Sequence, residues 1–154
     1  NVKTVETPEQ MLEQMKSLEQ DSTCAAIFSA AVLDYGFSEK LNEKIPSGQN
    51  SIAVKLTKRP KLIEQFLGSK LKKVAFKLLD VNQTSYTPDQ IADEYIKRYS
   101  LDLIGVNAIG QTSGADHAMT FFYIANGTLA SKAVTGKKAA AKFIVDFIAK
   151  KEVV

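Results

Sequence analysis

The chain has 154 residues, 45% of them hydrophobic and 24% charged, with a formal net charge of +3, one histidine and one cysteine. That is enough apolar side chain for one domain with its own core, and the mild charge suits an anionic small molecule rather than nucleic acid, which calls for a sharper basic stripe. One cysteine excludes an internal disulfide, a lone Cys and a lone His argue against a zinc site, and no apolar run reaches the length of a membrane span.

The N-terminus lacks a basic-then-apolar leader pattern, so the expectation is a soluble, cytoplasmic domain with no membrane or nucleic-acid partner. Val2-Lys3-Thr4-Val5 alternates and is predicted as a short strand. Thr7-Pro8-Glu9-Gln10 is a helix start: Thr7 can cap, Pro8 suits the first helical position, and Gln10 can complete a capping box. Met11, Leu12, Met15 and Leu18 follow at helical spacing, predicting an amphipathic helix to about Gln20 whose methionines pack in the core.

Cys24-Ala25-Ala26-Ile27-Phe28 reads as a buried parallel strand carrying a buried thiol. It runs into Ser29-Ala30-Ala31-Val32-Leu33-Asp34-Tyr35, where the first charge is a carboxylate, and Lys44 follows ten residues after Asp34. Ligands of open α/β sheets sit just outside the carboxyl ends of strands. Asp34 and Lys44 therefore have the chemistry and the address for a polar ligand carrying phosphate. On the residues alone, Asp34 is either a nucleotide or metal contact or a carboxylate capping the next turn, and Lys44 is either a ligand or a solvated surface lysine.

Gly36, Pro46, Ser47 and Gly48 mark a looser stretch, after which Ile52–Thr57 alternates and predicts a strand. Lys58-Arg59-Pro60 is read as the start of a helix packing Leu62, Ile63, Phe66 and Leu67. Lys72–Leu79 is a sheet strand, and Thr87-Pro88-Asp89-Gln90 repeats the helix start of Thr7, with a helix to about Tyr99. Leu101–Val106 is a buried strand stopping at Asn107, which is equally a ligand contact or a turn-forming residue. A polar loop from Gly110 to His117 follows. His117 stands beside Asp116, but no G-x-S-x-G elbow exists to make it part of a triad. Two strand-like pieces flank Asn126-Gly127, a hairpin signal, and Gly136–Lys151 is helical with Lys150 and Lys151 at its negative end. The order of elements predicts a doubly wound, Rossmann-like α/β sandwich with a mostly parallel sheet and an antiparallel edge hairpin and arm. No G-x-G-x-x-G or P-loop is present, which argues against a nicotinamide- or flavin-dependent oxidoreductase of this fold class.

Taken in order, these pieces resemble the phosphopantothenate–cysteine ligase family. Val5-Glu6-Thr7 through Met11-Leu12 is similar to its V-x-T-x-x-E-M-L segment, and Ser29–Tyr35 resembles its A-A-A-V-A-D-[YW]. Glu43-Lys44-Ile45 resembles E-K-I-K-K at the same spacing from the aspartate, and Lys55–Pro60 resembles K-x-x-K-[NT]-P. Ala75–Leu79 looks like the G-F-[AK]-x-E/L strand, closest to the stand-alone Gram-positive type, and Leu101–Asn107 resembles L-D-L-I-x-A-N-D. The resemblance implies a homodimeric enzyme of coenzyme A biosynthesis. It would join 4′-phosphopantothenate to cysteine through an acyl-nucleotidylate, using CTP or ATP as co-substrate with Mg2+.

It further implies that Lys44 is the catalytic lysine on the phosphate and acyl-nucleotidylate, and that Asp34 contacts the nucleotide or its magnesium. Ala30 and Ala31 would leave room for substrate, Phe76 and Asn107 would line the nucleotide side, and Lys58 would contact phosphate. Pro46-Ser47-Gly48 matches the place of a flap, with Gly48 allowing movement. Pro46 replaces the second lysine of E-K-I-K-K, and Ala108 replaces the aspartate after Asn107. The family's Gly-rich first strand and S-N-x-S-S-G-x-M-G motif have no counterpart. Residues 1–154 are thus expected to be a single domain lacking the family's N-terminal segment, with a companion chain or segment supplying it. The alternative reading is a non-catalytic nucleotide-binding or regulatory domain of the same fold.

Overall fold

The computed structural model describes residues 2–19, 25–38, 44–45, 47–48, 50–80, 82–109 and 117–150. Cys24, Glu43, Pro46, the loop 110–116 and Lys151 lie outside these residues, and so do the expectations placed on them.

The architecture begins from two helix starts that the sequence spells out. In α1 (Pro8–Glu19) the Gln10 N–H donates to Thr7 Oγ1 at 3.2 Å while the Thr7 N–H donates back to Gln10 Oε1 at 3.3 Å. In α2 (Pro88–Tyr99) Thr87 and Gln90 form the same reciprocal box. Each box satisfies amide donors that a helix otherwise leaves open. Ser100, with φ 51° and ψ 50°, ends α2 in the left-handed cap conformation.

Among the described residues, five strands form the main sheet: β1 (Ala25–Phe28), β4 (Lys72–Leu79), β5 (Leu103–Ala108), β6 (Ala118–Ala125) and β7 (Thr128–Thr135), in the order β1-β4-β5-β6-β7. β1, β4 and β5 are parallel, β6 runs against β5, and β7 runs against β6, so only β6 points the other way. Asn126 and Gly127 join β6 to β7 with φ of 52° and 78°, the pair of positive angles that matches the natural twist of a hairpin. β2 (Tyr35–Phe37) and β3 (Leu56–Lys58) form a separate antiparallel arm.

The core has two halves, one on each face of the sheet. Ala75, Leu79, Ile104, Val106 and Phe122 meet Ile91, Ala92, Ile96 and Tyr99 of α2 on one face. Val74, Leu103, Met119 and Phe121 meet Phe143 and Ile144 of α3 (Lys137–Ile148) on the other. The doubly wound three-layer reading therefore holds. Gly105 on β5 is part of the second half: a Cβ there would lie 2.5 Å from Met119 Sδ and 3.0 Å from Phe76 Cδ1. Close packing across that point requires the missing side chain.

Several local expectations are corrected. Val2–Val5 forms no strand: it pairs with none of the described strands. β1 is parallel as expected but not deeply buried: among the described residues it pairs with β4 alone, and Ile27 is 47% exposed. The strand expected over 52–57 contracts to Leu56–Lys58, since β2 offers only Tyr35–Phe37 as a partner. Lys58 thus ends a strand instead of opening a helix, and the helix expected after Pro60 is a five-residue 3-10 turn, Leu62–Phe66. Asn107 lies inside β5, because the ladder to β4 continues through Leu78↔Asn107 and Leu79↔Ala108. Lys150 falls beyond the end of α3 with φ 54°, so it does not sit in the last helical turn. The methionine stripe of α1 does not enter the core either, as α1 has no buried residue.

Candidate functional site

β1 and β4 lie side by side, and the chain leaves β1 as the small-residue segment 29–33 before reaching Asp34. Small side chains there leave a gap between the strand ends and the elements that return over them. The result is a cavity of about 400 Å³, within the range of small-molecule sites. It lies at the carboxyl-terminal half of β1 and β4, where open α/β sheets bind ligands. Ile27 to Asp34 form one wall, Pro60 to Ile63 a second, and Ala75 to Lys77 with Tyr95 and Tyr99 a third. Met11 and Met15 close it from α1.

Among the described residues, three charged ones line this cavity: Asp34, Lys61 and Lys77. Lys61 Nζ stands 3.5 Å from Asp34 Oδ1, with Asp34's side chain 55% exposed. Burial pulls the Lys61 pKa down, but attraction from Tyr99, Asp34 and Tyr95 outweighs it and the net shift is upward. Lys77 Nζ lies 5.5 Å from the centre of the Tyr95 ring, and the Tyr95 and Tyr99 rings meet edge-on at 5.4 Å. The two tyrosines, spaced i, i+4 on α2, thus present one aromatic wall with an ammonium group on it.

Next to the cavity's Asp34 and Pro60, Arg59 links three parts of the chain. Its side chain crosses Gly36, where any Cβ would collide with the guanidinium, and its Nη1 donates to Glu9 of α1. The Arg59 N–H also donates to the Asp34 carbonyl at 2.8 Å. Glu9's pKa is lowered, first by its own backbone hydrogen bond, then by the Thr7 hydroxyl and Arg59. One residue therefore ties the arm, the Asp34 backbone and α1 together.

Of the residues singled out in the sequence, the structure brings Ala30, Ala31, Asp34 and Phe76 to the cavity. Phe76 borders it while its ring packs edge-on against Phe121 at 6.4 Å. Lys44, Lys58 and Asn107 are not in its lining. Lys44 is exposed, and Lys58 lies exposed on β3. Asn107 is buried, with Nδ2 3.4 Å from His117 Nε2, a pairing absent from the sequence reading. Lys61, Lys77, Tyr95 and Tyr99 are the site residues that reading overlooked. Alternation along β4 puts Lys77 on the face of Ala75, and the i, i+4 tyrosines share a helix face, so those signals were present. Nothing local to Lys61 gave it away.

Among the described residues, no group of three or more His, Cys, Asp or Glu side chains could hold a metal ion. Magnesium carried on a triphosphate needs only one or two protein carboxylates. Asp34, the one carboxylate among the described residues lining the cavity, fits that mode and not a closed protein cage.

Fold and cavity together define a doubly wound α/β domain with a cavity at its strand ends. The chain matches the family described as the DNA/pantothenate metabolism flavoprotein C-terminal domain over residues 1–151, and it belongs to that family. The fold is shared with the DNA/pantothenate metabolism flavoprotein from Streptococcus pneumoniae, at a TM-score of 0.72 and 23% identity, covering 97% of this chain and 72% of that one. It is also shared with the C-terminal domain of the coenzyme A biosynthesis bifunctional protein CoaBC, at TM-score 0.65 and 17% identity, covering 95% of this chain and 63% of the other. A Cab2 mutant in complex with phosphopantothenate-cysteine is similar at TM-score 0.61 and 21% identity, covering 92% and 49%. The chain thus spans less than two thirds of the length of the latter two. No curated protein matches it in sequence. No described helix is long and apolar enough to cross a membrane.

Proposed function

We propose that the chain serves coenzyme A biosynthesis as a ligase that joins 4′-phosphopantothenate to cysteine with CTP or ATP as co-substrate. The observation that carries this reading is the cavity at the ends of β1 and β4, in a chain of this family, with Asp34, Lys61 and Lys77 converging on it. Its dimensions and its mixture of apolar wall and fixed charges suit a nucleotide or a phosphorylated pantetheine-like substrate.

In the proposed reaction a carboxylate oxygen of 4′-phosphopantothenate attacks the α-phosphorus and pyrophosphate leaves. The amine of cysteine then attacks the activated carbonyl, the nucleoside monophosphate leaves, and a proton is lost from the new amide nitrogen. The first step builds negative charge on phosphate oxygens, which fixed ammonium groups stabilise in a site partly closed to water. Asp34 would hold the Mg2+ that travels with the triphosphate. Lys44 would act from the connection between the two strands of the arm, where a Cβ added at Gly48 would meet nothing within 4 Å. Ala30 and Ala31 leave the backbone open to substrate. Lys58, Phe76 and Asn107 remain proposed nucleotide contacts.

The exposed apolar arm is the proposed face for a second copy of the chain: Tyr35, Phe37 and Leu56 are each more than half exposed there. The test is pyrophosphate release from CTP or ATP that requires both 4′-phosphopantothenate and cysteine, with the chain joined to any companion segment. No release, and no consumption of cysteine, overturns the reading. The exposure of Lys44 outside the cavity favours the second reading, nucleotide binding without turnover. On that reading Lys44→Gln leaves nucleotide affinity unchanged and no ligation is seen with either version.

A further inference from the structure

We infer that Lys61 and Lys77 are the phosphate-binding residues of the cavity, and that Asp34 acts on the unliganded chain as an exchangeable counter-ion holding Lys61 ready. The inference deepens the ligase proposal and rests on it only for the identity of the ligand. Among the described residues, two lysines and one aspartate line the cavity, so the balance of these side chains is positive. The carboxylate stands 3.5 Å from Lys61 and is more than half exposed. A pair so open to water is worth little, so a polyanion of higher charge can displace the carboxylate. Lys77 has no carboxylate partner among the described residues and instead lies over the Tyr95 ring. An ammonium held on an aromatic face is not spent on a carboxylate and still has donors to offer a phosphate.

The two lysines line the same cavity as the tyrosine pair, Lys61 from the Pro60–Ile63 wall and Lys77 standing over Tyr95. A phosphate group entering between them replaces the Asp34 contact at Lys61 and gains Lys77. The tyrosine rings remain as a flat wall for the less polar part of the ligand. The shared chemistry is a phosphate or polyphosphate, supplied by a nucleoside triphosphate or by 4′-phosphopantothenate.

Calorimetric titration of the full chain without metal tests this, with sodium tripolyphosphate and 4′-phosphopantothenate as separate probes. Lys61→Gln and Lys77→Gln are each expected to weaken binding by about five- to tenfold, as for loss of one charge-assisted hydrogen bond, and to flatten its salt dependence. Lys77→Arg is expected to restore affinity, with thermal melts verifying that each variant folds. Asp34→Asn is expected to tighten metal-free binding severalfold, because the competing carboxylate is gone. The probe whose affinity responds to these substitutions identifies which phosphate occupies the site. Wild-type affinity for both probes in both lysine variants, or weaker metal-free binding in Asp34→Asn, overturns the inference. If the anion binds as described but pyrophosphate is never released, the ligase proposal fails and this one stands. If ligation proceeds and the lysine variants leave KM for substrate and nucleotide unchanged, the reverse holds.

Discussion

The sheet and the arm invest their apolar side chains in opposite ways. Around β4, β5 and β6, Val74, Leu103, Ile104 and Phe121 are wholly removed from water. In the arm and the segment before it, Leu33 is 75% exposed and Phe37 70%, and α1 beside them buries no residue at all. The sheet is thus held by its own packing, whereas the arm and α1 are tied on by Arg59, by short ladders and by the cavity's rim. The cavity lies along this seam. β4 with Tyr95 and Tyr99, and Ile63, belong to the packed region; Asp34 with the segment before it, and Met11 and Met15 of α1, belong to the loosely attached one. A site so divided can keep fixed recognition groups on one side and adjust the other around a ligand, since sparsely packed regions open at the lowest free energy.

The comparison is broken most directly at Phe121. Its ring stacks on Phe143 at 4.9 Å and meets Phe76 edge-on, and it is fully buried. Phe121→Ala is expected to cost about 3–5 kcal/mol in urea unfolding, the usual penalty for emptying an aromatic core position. Gly105→Ala comes next, at about 1–3 kcal/mol, because the new methyl meets Met119 and two aromatic rings that are already packed. On the arm, Phe37→Ser with Leu56→Ser is expected to shift unfolding of the single chain by less than about 0.5 kcal/mol, as exposed sites do. The same pair should move a dimer toward monomer in sedimentation if the arm is the proposed self-association face. A large loss of stability in dilute arm variants would show that the arm is packed after all.

The two regions also differ in how far the sequence disclosed them. β4 and α2 emerge with the bounds expected because Lys72–Leu79 is fixed by neighbours on both sides and α2 by its capping box. The Asn126-Gly127 turn is a local property and was readable for that reason. The arm was not: alternation over 52–57 indicates a strand, but only the partner decides where it starts, and β2 meets it from Leu56 onward. At the site, Asp34 and the alanines were legible because they follow the strand end directly in sequence. Lys61 becomes a site residue only when the chain returns across Asp34, and Asn107 acquires His117 only through the β5–β6 pairing. Contacts created by long-range return of the chain carry no local signature.

The smallest expected effect probes the seam itself, through the ionisation of Lys61. Its pKa is raised in the folded chain, so the folded state binds that proton more tightly than the unfolded state does. The resulting stabilisation is complete below the unfolded value and is lost as pH climbs through the higher folded value, so its window is alkaline. A half-exposed pair contributes less than about 1 kcal/mol, too little to separate in a melt where tyrosines titrate as well. Selective NMR of the lysine side chains reads Lys61 alone. It should titrate above the ordinary lysine value, and Asp34→Asn should lower that midpoint, because burial then opposes fewer attractions on the ammonium group. An unchanged midpoint in Asp34→Asn would mean that the tyrosines alone poise Lys61. The packed wall would then govern the charge of the loose one, and the two sides of the seam would not be independent.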